Sequence, residues 1–549
     1  MASDRDIAFP VLSAAHIDIL RQRGTVRPVV TGETVIAEGD RNFCFFVVLD
    51  GAIEILDRTG GEPKTVVTHG PGEFTGDIDM LTGRAAVISG VVSQDGSVVQ
   101  LSTDQLRHVV DEVAELGEII VRAFLMRRTL LISSGFQGIK IIGSRFSPDA
   151  HRLRDFATRN AIPFTWIDLE ADPQAEQLLR QFNVSVSQTP IVIGRNGEWR
   201  SNPSTPDFAR YVGLSVTLEK DHEYDLVVVG AGPAGLAASV YAASEGLSVL
   251  TVDSVAAGGQ AGTSSRIENY LGFPTGISGA DLTRNALLQA QKFGASISVP
   301  LTATALRLDN GDRIVTLDDG SEVRTRCILV ASGVNYRKIE VERLEDFEGA
   351  GIYYAATDME ARFCRGEDAL VVGGGNSAGQ AVVYLSHYAR HVHVILRGHD
   401  LGTSMSRYLV DRVESIPNVT VHRGARVTAV DGDTHLRSVT VSTVNDGDRT
   451  FDTSSLFLFI GAEPKTHWLR NCVALDSKGF VLTGNSLPRA TSESEMWRAM
   501  GRAPFLLETC LPGIFAAGDV RSGSVKRVAS AVGEGSMSVS FVHAHLARP

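Results

Sequence analysis

Two short glycine patterns, each set between an apolar run and a helix-forming run, constrain this chain more than anything else in it. The first is Gly230-Ala231-Gly232-Pro233-Ala234-Gly235, following Leu226-Val227-Val228-Val229 and preceding Leu236 to Ala243. The second is Gly373-Gly374-Gly375-Asn376-Ser377-Ala378, following Ala369-Leu370-Val371-Val372. Strand, turn and helix in that register form a cradle for a dinucleotide pyrophosphate, held at the helix N-terminus. In the first pattern Gly230 permits the tight turn, Gly232 lets the pyrophosphate approach the backbone, and Gly235 lets the helix pack close to the strand. The chain is therefore expected to hold two nucleotide cofactors.

The end of the second strand in each unit separates the two sites. In the first unit, the strand Ser248 to Val252 ends at Asp253, whose carboxylate can accept hydrogen bonds from a ribose diol. In the second, Val392 to Leu396 ends at Arg397, with Ser404, Ser406 and Arg407 close behind. That set suits a 2′-phosphate, so NADPH is expected there in preference to NADH.

A chain of 549 residues exceeds one hydrophobic core and suggests three or four domains. No apolar stretch reaches the ~18 residues needed to span a bilayer. The N-terminus, Met1-Ala2-Ser3-Asp4-Arg5-Asp6, lacks the basic and apolar regions of a secretion signal, so a cytoplasmic location without a membrane span is expected. A net charge of −12 argues against nucleic acid as a partner, since no excess of cations is available to neutralise phosphates. Cys44, Cys327, Cys364, Cys472 and Cys510 form no CxxC pair and no metal-ligand spacing, so neither a disulfide framework nor a metal site is expected. Cys44 and Cys327 lie in apolar runs and read as small core residues.

Residues 8–130 alternate short strands with glycine turns: Thr34 to Ile36, Phe43 to Leu49, Ala52 to Leu56, Thr65 to Val67, Val87 to Val92 and Ser97 to Leu101, then a helical tail from Thr103 to Met126. The glycines and the stretch Gly72-Glu73-Phe74-Thr75-Gly76-Asp77 resemble the cyclic nucleotide-binding domain family, an all-β jelly roll. The resemblance implies that Gly76, Asp77, Arg84 and Ala85 would meet a cyclic nucleotide, Asp77 at the ribose and Arg84 at the phosphate. Here aspartate replaces the family's glutamate, Asp79 stands in a usually apolar position, and the run to Arg84 is about two residues short. A structural or regulatory jelly roll without a ligand stays open beside the binding reading.

Residues 137–215 read as strand, helix, strand, helix and two strands: Lys140 to Gly143, Pro148 to Arg159, Phe164 to Asp168, Pro173 to Phe182, then Thr189 to Ile193 and a hairpin to Trp199. The order resembles the thioredoxin or glutaredoxin fold, which implies a cis peptide before Pro190. The loop that would carry its redox pair is Ser144-Arg145-Phe146-Ser147, without a thiol, so a docking or spacer role is expected. A linker is expected from Ser201 to Asp221.

From Tyr224 onward, several motifs occur in sequence: Gly258-Gly259-Gln260, Glu268-Asn269-Tyr270-Leu271-Gly272-Phe273-Pro274, Ala331-Ser332-Gly333, Phe459-Ile460-Gly461-Ala462 and Gly513-Ile514-Phe515-Ala516-Ala517-Gly518-Asp519. In that order they resemble the thioredoxin reductase family of the pyridine nucleotide-disulfide oxidoreductases. The resemblance implies an α/β flavoprotein of two dinucleotide-binding domains, an FAD domain from 222–338 and 466–549 around an NADP domain from 339–465. It places Gly230, Gly232, Pro233, Ala234, Gly235, Asp253, Gly259, Gln260, Asn269, Gly333, Gly518, Asp519, Arg527, Val528 and Ala529 against FAD. Gly373, Gly375, Asn376, Ser377, Ala378, Arg397, Ser404, Ser406 and Arg407 would hold NADPH. A homodimer is the family's usual assembly.

One segment departs from the family. Where the relatives carry the CxxC that takes electrons from reduced flavin, this chain reads Tyr353-Tyr354-Ala355-Ala356-Thr357-Asp358, with Ala355 and Asp358 at the cysteine positions. A methyl and a carboxylate form no disulfide. The expectation is an NADPH-dependent flavin oxidoreductase whose acceptor, a quinone, oxygen or a redox protein, meets the flavin directly. Two alternatives stand beside it: a disulfide reductase using distant cysteines such as Cys364 or Cys510, and a flavin-based redox sensor. The N-terminal domain is expected to regulate.

Overall fold

The computed structural model describes residues 4–547 apart from 58–63, 83–84, 87, 134–138, 161, 173–174, 182–183, 195–197, 215–217, 219–221, 265–266, 268–269, 310–311, 349, 355, 357, 444–446 and 470. The N-terminal unit is a five-stranded antiparallel sheet in which Phe45–Asp57 and Ser89–Leu101 pair along their length. The sequence pattern divides each of these strands in two at its glycines. The structure bends them instead: Gly51 takes φ +84°, the register shifts on both sides of it, and a Cβ at Gly96 would lie 1.9 Å from the Asp50 carbonyl oxygen. Glycine there marks a bulge at a close backbone crossing, not a strand end. Phe45, Phe74 and Phe124 meet inside the roll with ring centroids 5.4 to 6.3 Å apart. The helical tail is two helices, Thr103–Glu112 and Ala114–Ser133, the first fixed by a capping box between Ser102 and Gln105.

The middle unit is a four-stranded sheet in the order Phe164–Asp168, Ile139–Gly143, Ile191–Ile193, Trp199–Ser201, parallel in the first pair and antiparallel thereafter. The Thr189-Pro190 peptide is cis, as expected. The expected linker contains a helix, Thr205–Tyr211, because Ser204 caps it and Pro206 fits its first turn; Phe208 and Ala209 are buried in the middle unit's core.

The helix Pro148–Arg159 of this unit faces both domains that carry the glycine patterns. Ser147 caps it by accepting from the Ala150 N–H, and Ala150, Leu153, Phe156 and Ala157 bury one stripe in the core. Its remaining side chains reach both dinucleotide domains. Arg159 donates to the Gly259 carbonyl at 3.2 Å and Asn160, its C-cap, to the Val255 carbonyl at 3.2 Å, both in the domain of the first glycine pattern. The His151 ring lies 5.7 Å from the Tyr353 ring and Arg154 5.5 Å from the Phe363 ring, both in the domain of the second glycine pattern. Phe146, just before the helix, stacks on His435 at 3.7 Å.

In the domain of the first glycine pattern Ser296–Ser298, Val249–Val252, Glu223–Val229, Glu322–Val330 and Ile514–Ala516 run parallel, and the antiparallel strands Asp312–Leu317 and Ala303–Asp309 extend from Glu322–Val330. The last parallel strand arrives after a second parallel sheet, Ile352–Tyr353, Leu456–Leu458, Asp368–Val372, His391–Leu396 and Val419–Arg423, has been completed. The second sheet is thus an insertion into the first domain. The two crossing segments pair with each other as Val334–Tyr336 and Ala462–Pro464. Among the described residues no helix is long and apolar enough to cross a membrane.

Candidate functional site

The first crevice is built by close backbone approach. Gly230, at φ +112°, leaves 2.2 Å between a hypothetical Cβ and the Ala331 carbonyl oxygen, and Gly235 leaves 1.8 Å to the Gly230 carbonyl oxygen. Gly232 differs: its nearest neighbour would be the Gly259 Cα at 3.9 Å, so the backbone there is open. Gly232 is also the N-cap of the helix Pro233–Ser244, with no side chain on its first N–H groups. An open, donor-bearing helix start is what a pyrophosphate requires.

Other expected residues converge on the same place. A Cβ on Gly518, which has φ +76°, would lie 3.0 Å from Ala234 Cβ, so Gly518-Asp519 sits against the start of that helix. Burial holds the Asp519 carboxyl above its ordinary range, opposed by Lys526, which donates to the Asp519 carbonyl. The C-terminal helix Val528–Leu546, with Arg527 as N-cap, packs so closely that a Cβ at Gly535 would lie 2.0 Å from the Ala234 carbonyl oxygen. Nearer the start of the helix, Ala531 Cβ would lie 3.7 Å from a Cβ on Gly518. Gln260 donates to the Val334 carbonyl at 2.8 Å, next to Gly333 at φ +66°. Asp253 accepts from the Ala231, Val255 and Ala256 N–H groups, so its carboxylate also fixes the glycine turn. Asn269 lies outside the described residues. Sequence reasoning misses Glu534, which accepts from the Gly518 N–H at 2.7 Å and pairs with Arg521; nothing in the local pattern marks it.

The second crevice repeats the design. A Cβ on Gly373, at φ +140°, would lie 2.3 Å from the Phe459 carbonyl oxygen, whereas Gly375, the N-cap of the helix Asn376–Leu385, has nothing within 4 Å. Ala378 is fully buried beneath it. The Asn376 side chain accepts from the Ser406 N–H at 2.7 Å, and Ser404 donates to the Gly374 carbonyl at 2.9 Å, which draws the serine loop over the glycine turn. The Ser406 hydroxyl is buried and has no hydrogen-bond partner among the described residues. Arg397 is exposed with no ion pair there, and Arg407 pairs with Asp411 at 3.0 Å. An orphaned hydroxyl and an uncommitted guanidinium beside an open helix start fit a phosphate-bearing nucleotide.

In sequence, the segment without thiols lies between the two glycine patterns. Ala355 is outside the described residues, and Asp358 begins the short helix Asp358–Phe363. Cys364, just after it, is fully buried, and burial pushes its thiol up to about 12. Cys327 is likewise buried and pushed to about 12, as a core residue should be. Cys472 and Cys510 come together: the Cys510 Sγ is 3.9 Å from the Cys472 carbonyl oxygen.

In the jelly roll, Gly76 and Asp77 border a cavity of about 330 Å³ whose other walls are largely apolar. Asp77 is buried; burial and Asp79 hold its carboxyl above the ordinary range. Arg128 compensates both acids, at 3.6 Å from Asp77 and 2.7 Å from Asp79. Its neighbour Arg127 donates to the carbonyls of Ala8, Phe74 and Gly76. Two adjacent arginines after Phe124-Leu125-Met126 are the available sequence signal for this arrangement. Arg84 lies outside the described residues; Ala85 is half-buried beside Gly213 of the middle unit.

Comparison with known proteins accords with this geometry. The pyridine nucleotide-disulphide oxidoreductase family matches residues 224–535, and the cyclic nucleotide-binding domain family matches residues 26–113. Thioredoxin reductase of Treponema pallidum is 32% identical over 318 residues, covering 58% of this chain and 95% of its own. NADPH-dependent thioredoxin reductase 3 of Arabidopsis thaliana is 30% identical over 336 residues, 59% of this chain and 58% of that protein. The crystal structure of T. acidophilum thioredoxin reductase superposes with a TM-score of 0.52 at 26% identity, covering 59% of this chain and 99% of its own.

Proposed function

The chain belongs to the pyridine nucleotide-disulphide oxidoreductase family, as a thioredoxin reductase-like NAD(P)H flavin oxidoreductase with an N-terminal cyclic nucleotide-binding domain, and we propose that it delivers electrons from NADPH through FAD to an acceptor without a thiol relay. When bound, FAD supplies hydride acceptance and onward transfer of one or two electrons. The residues of this chain bind and orient. Gly232 and the helix start behind it would take the FAD pyrophosphate, Asp253 the ribose, and the N–H groups at Val528 and Ala529 the pyrimidine end of the ring, where they favour negative charge. Gly375, Asn376 and Ser377 would take the NADPH pyrophosphate, and Arg397, Ser404 and Ser406 the 2′-phosphate.

The observation that carries the reading is the state of the segment around Ala355 and Asp358. It holds no cysteine pair, its one nearby thiol, Cys364, is buried and hard to ionise, and the helix Pro148–Arg159 lies against it through His151 and Arg154. The middle unit, a thioredoxin-like domain without thiols in this reading, occupies the face on which a thiol relay would open. The test is steady-state NADPH oxidation by the FAD-loaded chain with a quinone, with oxygen and with an oxidised thioredoxin offered separately. Turnover with the quinone or oxygen, unchanged in Cys364→Ser, is expected. Disulfide reduction lost in Cys364→Ser would contradict it.

A second reading, disulfide reduction by unconventional cysteines, draws on the proximity of Cys472 and Cys510. Loss of disulfide turnover in Cys510→Ser with quinone turnover intact would select it. The N-terminal domain would act as a regulator, with Asp77 and the Arg128 pair as the groups through which a cyclic nucleotide alters the packing of the tail helix.

A further inference from the structure

Where the four parts of the molecule meet there is a cavity of about 890 Å³. Its walls include Arg128 of the jelly roll, Arg154 and Trp166 of the middle unit, Ser264 and Thr283 of the flavin domain, and Phe363 of the pyridine nucleotide domain. No residue of either glycine pattern lines it. Most of the arginines in its walls have a carboxylate partner: Arg128 pairs with Asp79, Arg145 with Asp168, Arg159 with Asp155 and Arg284 with Asp281. Arg154 does not. It is only 9% exposed, and among the described residues it makes no hydrogen bond and no ion pair, with its Nε buried and unpartnered. Its guanidinium lies 4.2 Å from the Trp166 ring centroid and 5.5 Å from that of Phe363. Aromatic faces stabilise a cation but accept nothing from its in-plane fork of N–H donors. Asp168 and Glu360 act on its charge from a distance, yet among the described residues neither bonds it, and a buried donor of a permanently charged group is costly unless something supplies an acceptor.

We propose that this junction cavity binds a small organic anion, its carboxylate, phosphate or sulfonate head on Arg154 and its apolar body against Trp166 and Phe363. Its lining shares no residue with either glycine pattern or with the jelly-roll cavity, although Ala257, Gly262 and Thr263 flank the Gly258-Gly259-Gln260 turn and Arg159 in its wall donates to the Gly259 carbonyl. An occupant touches four domains at once, so it favours the packing in which they converge.

The anionic dye 8-anilinonaphthalene-1-sulfonate is the probe, titrated by fluorescence into the full FAD-loaded chain, with neutral N-phenyl-1-naphthylamine as the uncharged counterpart. Arg154→Met is expected to weaken sulfonate binding by about tenfold or more while leaving the neutral dye within about twofold, the pattern of a lost charge-assisted contact. Sulfonate affinity unchanged in the variant would overturn the proposal. Hydrogen exchange on the unmodified chain gives a reading that does not depend on the variant's folding. Protection by the sulfonate in the helices Pro148–Arg159 and Gly279–Lys292 supports the site. Protection confined to the jelly roll, or to the strand end at Arg397, overturns it.

Discussion

Gly232 and Gly235 belong to the same turn, yet the structure gives them opposite tolerances. A methyl at Gly235 would collide with the Gly230 carbonyl oxygen, whereas one at Gly232 would enter open space where a pyrophosphate belongs. Gly235→Ala is therefore expected to destabilise the flavin domain by about 3 kcal/mol or more, as overpacking against rigid backbone does. Gly232→Ala is expected to keep the fold, with thermal unfolding of the apoprotein little changed, and to lose bound flavin, read from the visible spectrum. A Gly232→Ala protein with full flavin content would contradict the assignment of the crevice. At the second site, Arg397→Ala is expected to lower kcat/KM for NADPH by about tenfold, the loss of roughly one charged hydrogen bond, and to leave NADH nearly unchanged. Equal losses for both nucleotides would remove the 2′-phosphate role. These residues are legible because a glycine turn between strand and helix carries its own geometry. Arg154 and Glu534 are not, since their surroundings come from elsewhere in the chain and only folding brings them together; Arg128 leaves only the trace of an arginine pair.

Strands and helices show the same division. The helix Pro148–Arg159 announces itself by Ser147, Pro148 and an apolar stripe, but nothing local indicates that its other side chains touch both dinucleotide domains. The long strands of the jelly roll read as divided at Gly51 because a glycine looks alike in a turn and in a bulge, and only the partner strand decides. The strand pair His391–Leu396 and Val419–Arg423 carries a pH dependence with no local signal. His393 Nδ1 lies 3.1 Å from His422 Nε2, and burial, then His391 and His422, pull the His393 imidazole down to about 4 despite Asp368 at 3.6 Å. A group neutral when folded but ordinary when unfolded contributes stability that is complete above about pH 6.5 and is lost as the pH falls through about 4. For this buried imidazole, 8% exposed, the contribution is on the order of 1–3 kcal/mol. His393→Asn is expected to narrow the difference in melting temperature between pH 7 and pH 5; a gap equal to that of the unsubstituted chain would refute the assignment.

At the scale of the whole molecule, the middle unit meets both domains of a two-crevice oxidoreductase through one helix, the jelly roll packs on the helix Gly279–Lys292, where Lys292 lies 3.9 Å from Asp111, and one cavity opens where all four meet. The Treponema pallidum and T. acidophilum relatives carry thioredoxin reductase in their names, and this chain shares the fold without a cysteine pair at Ala355 and Asp358. That absence makes the electron count decisive. With FAD as the only two-electron centre, anaerobic titration with NADPH should bleach the flavin completely at about one equivalent per FAD, without a lag. A requirement for about two equivalents would mean that a dithiol fills alongside the flavin and would contradict the account.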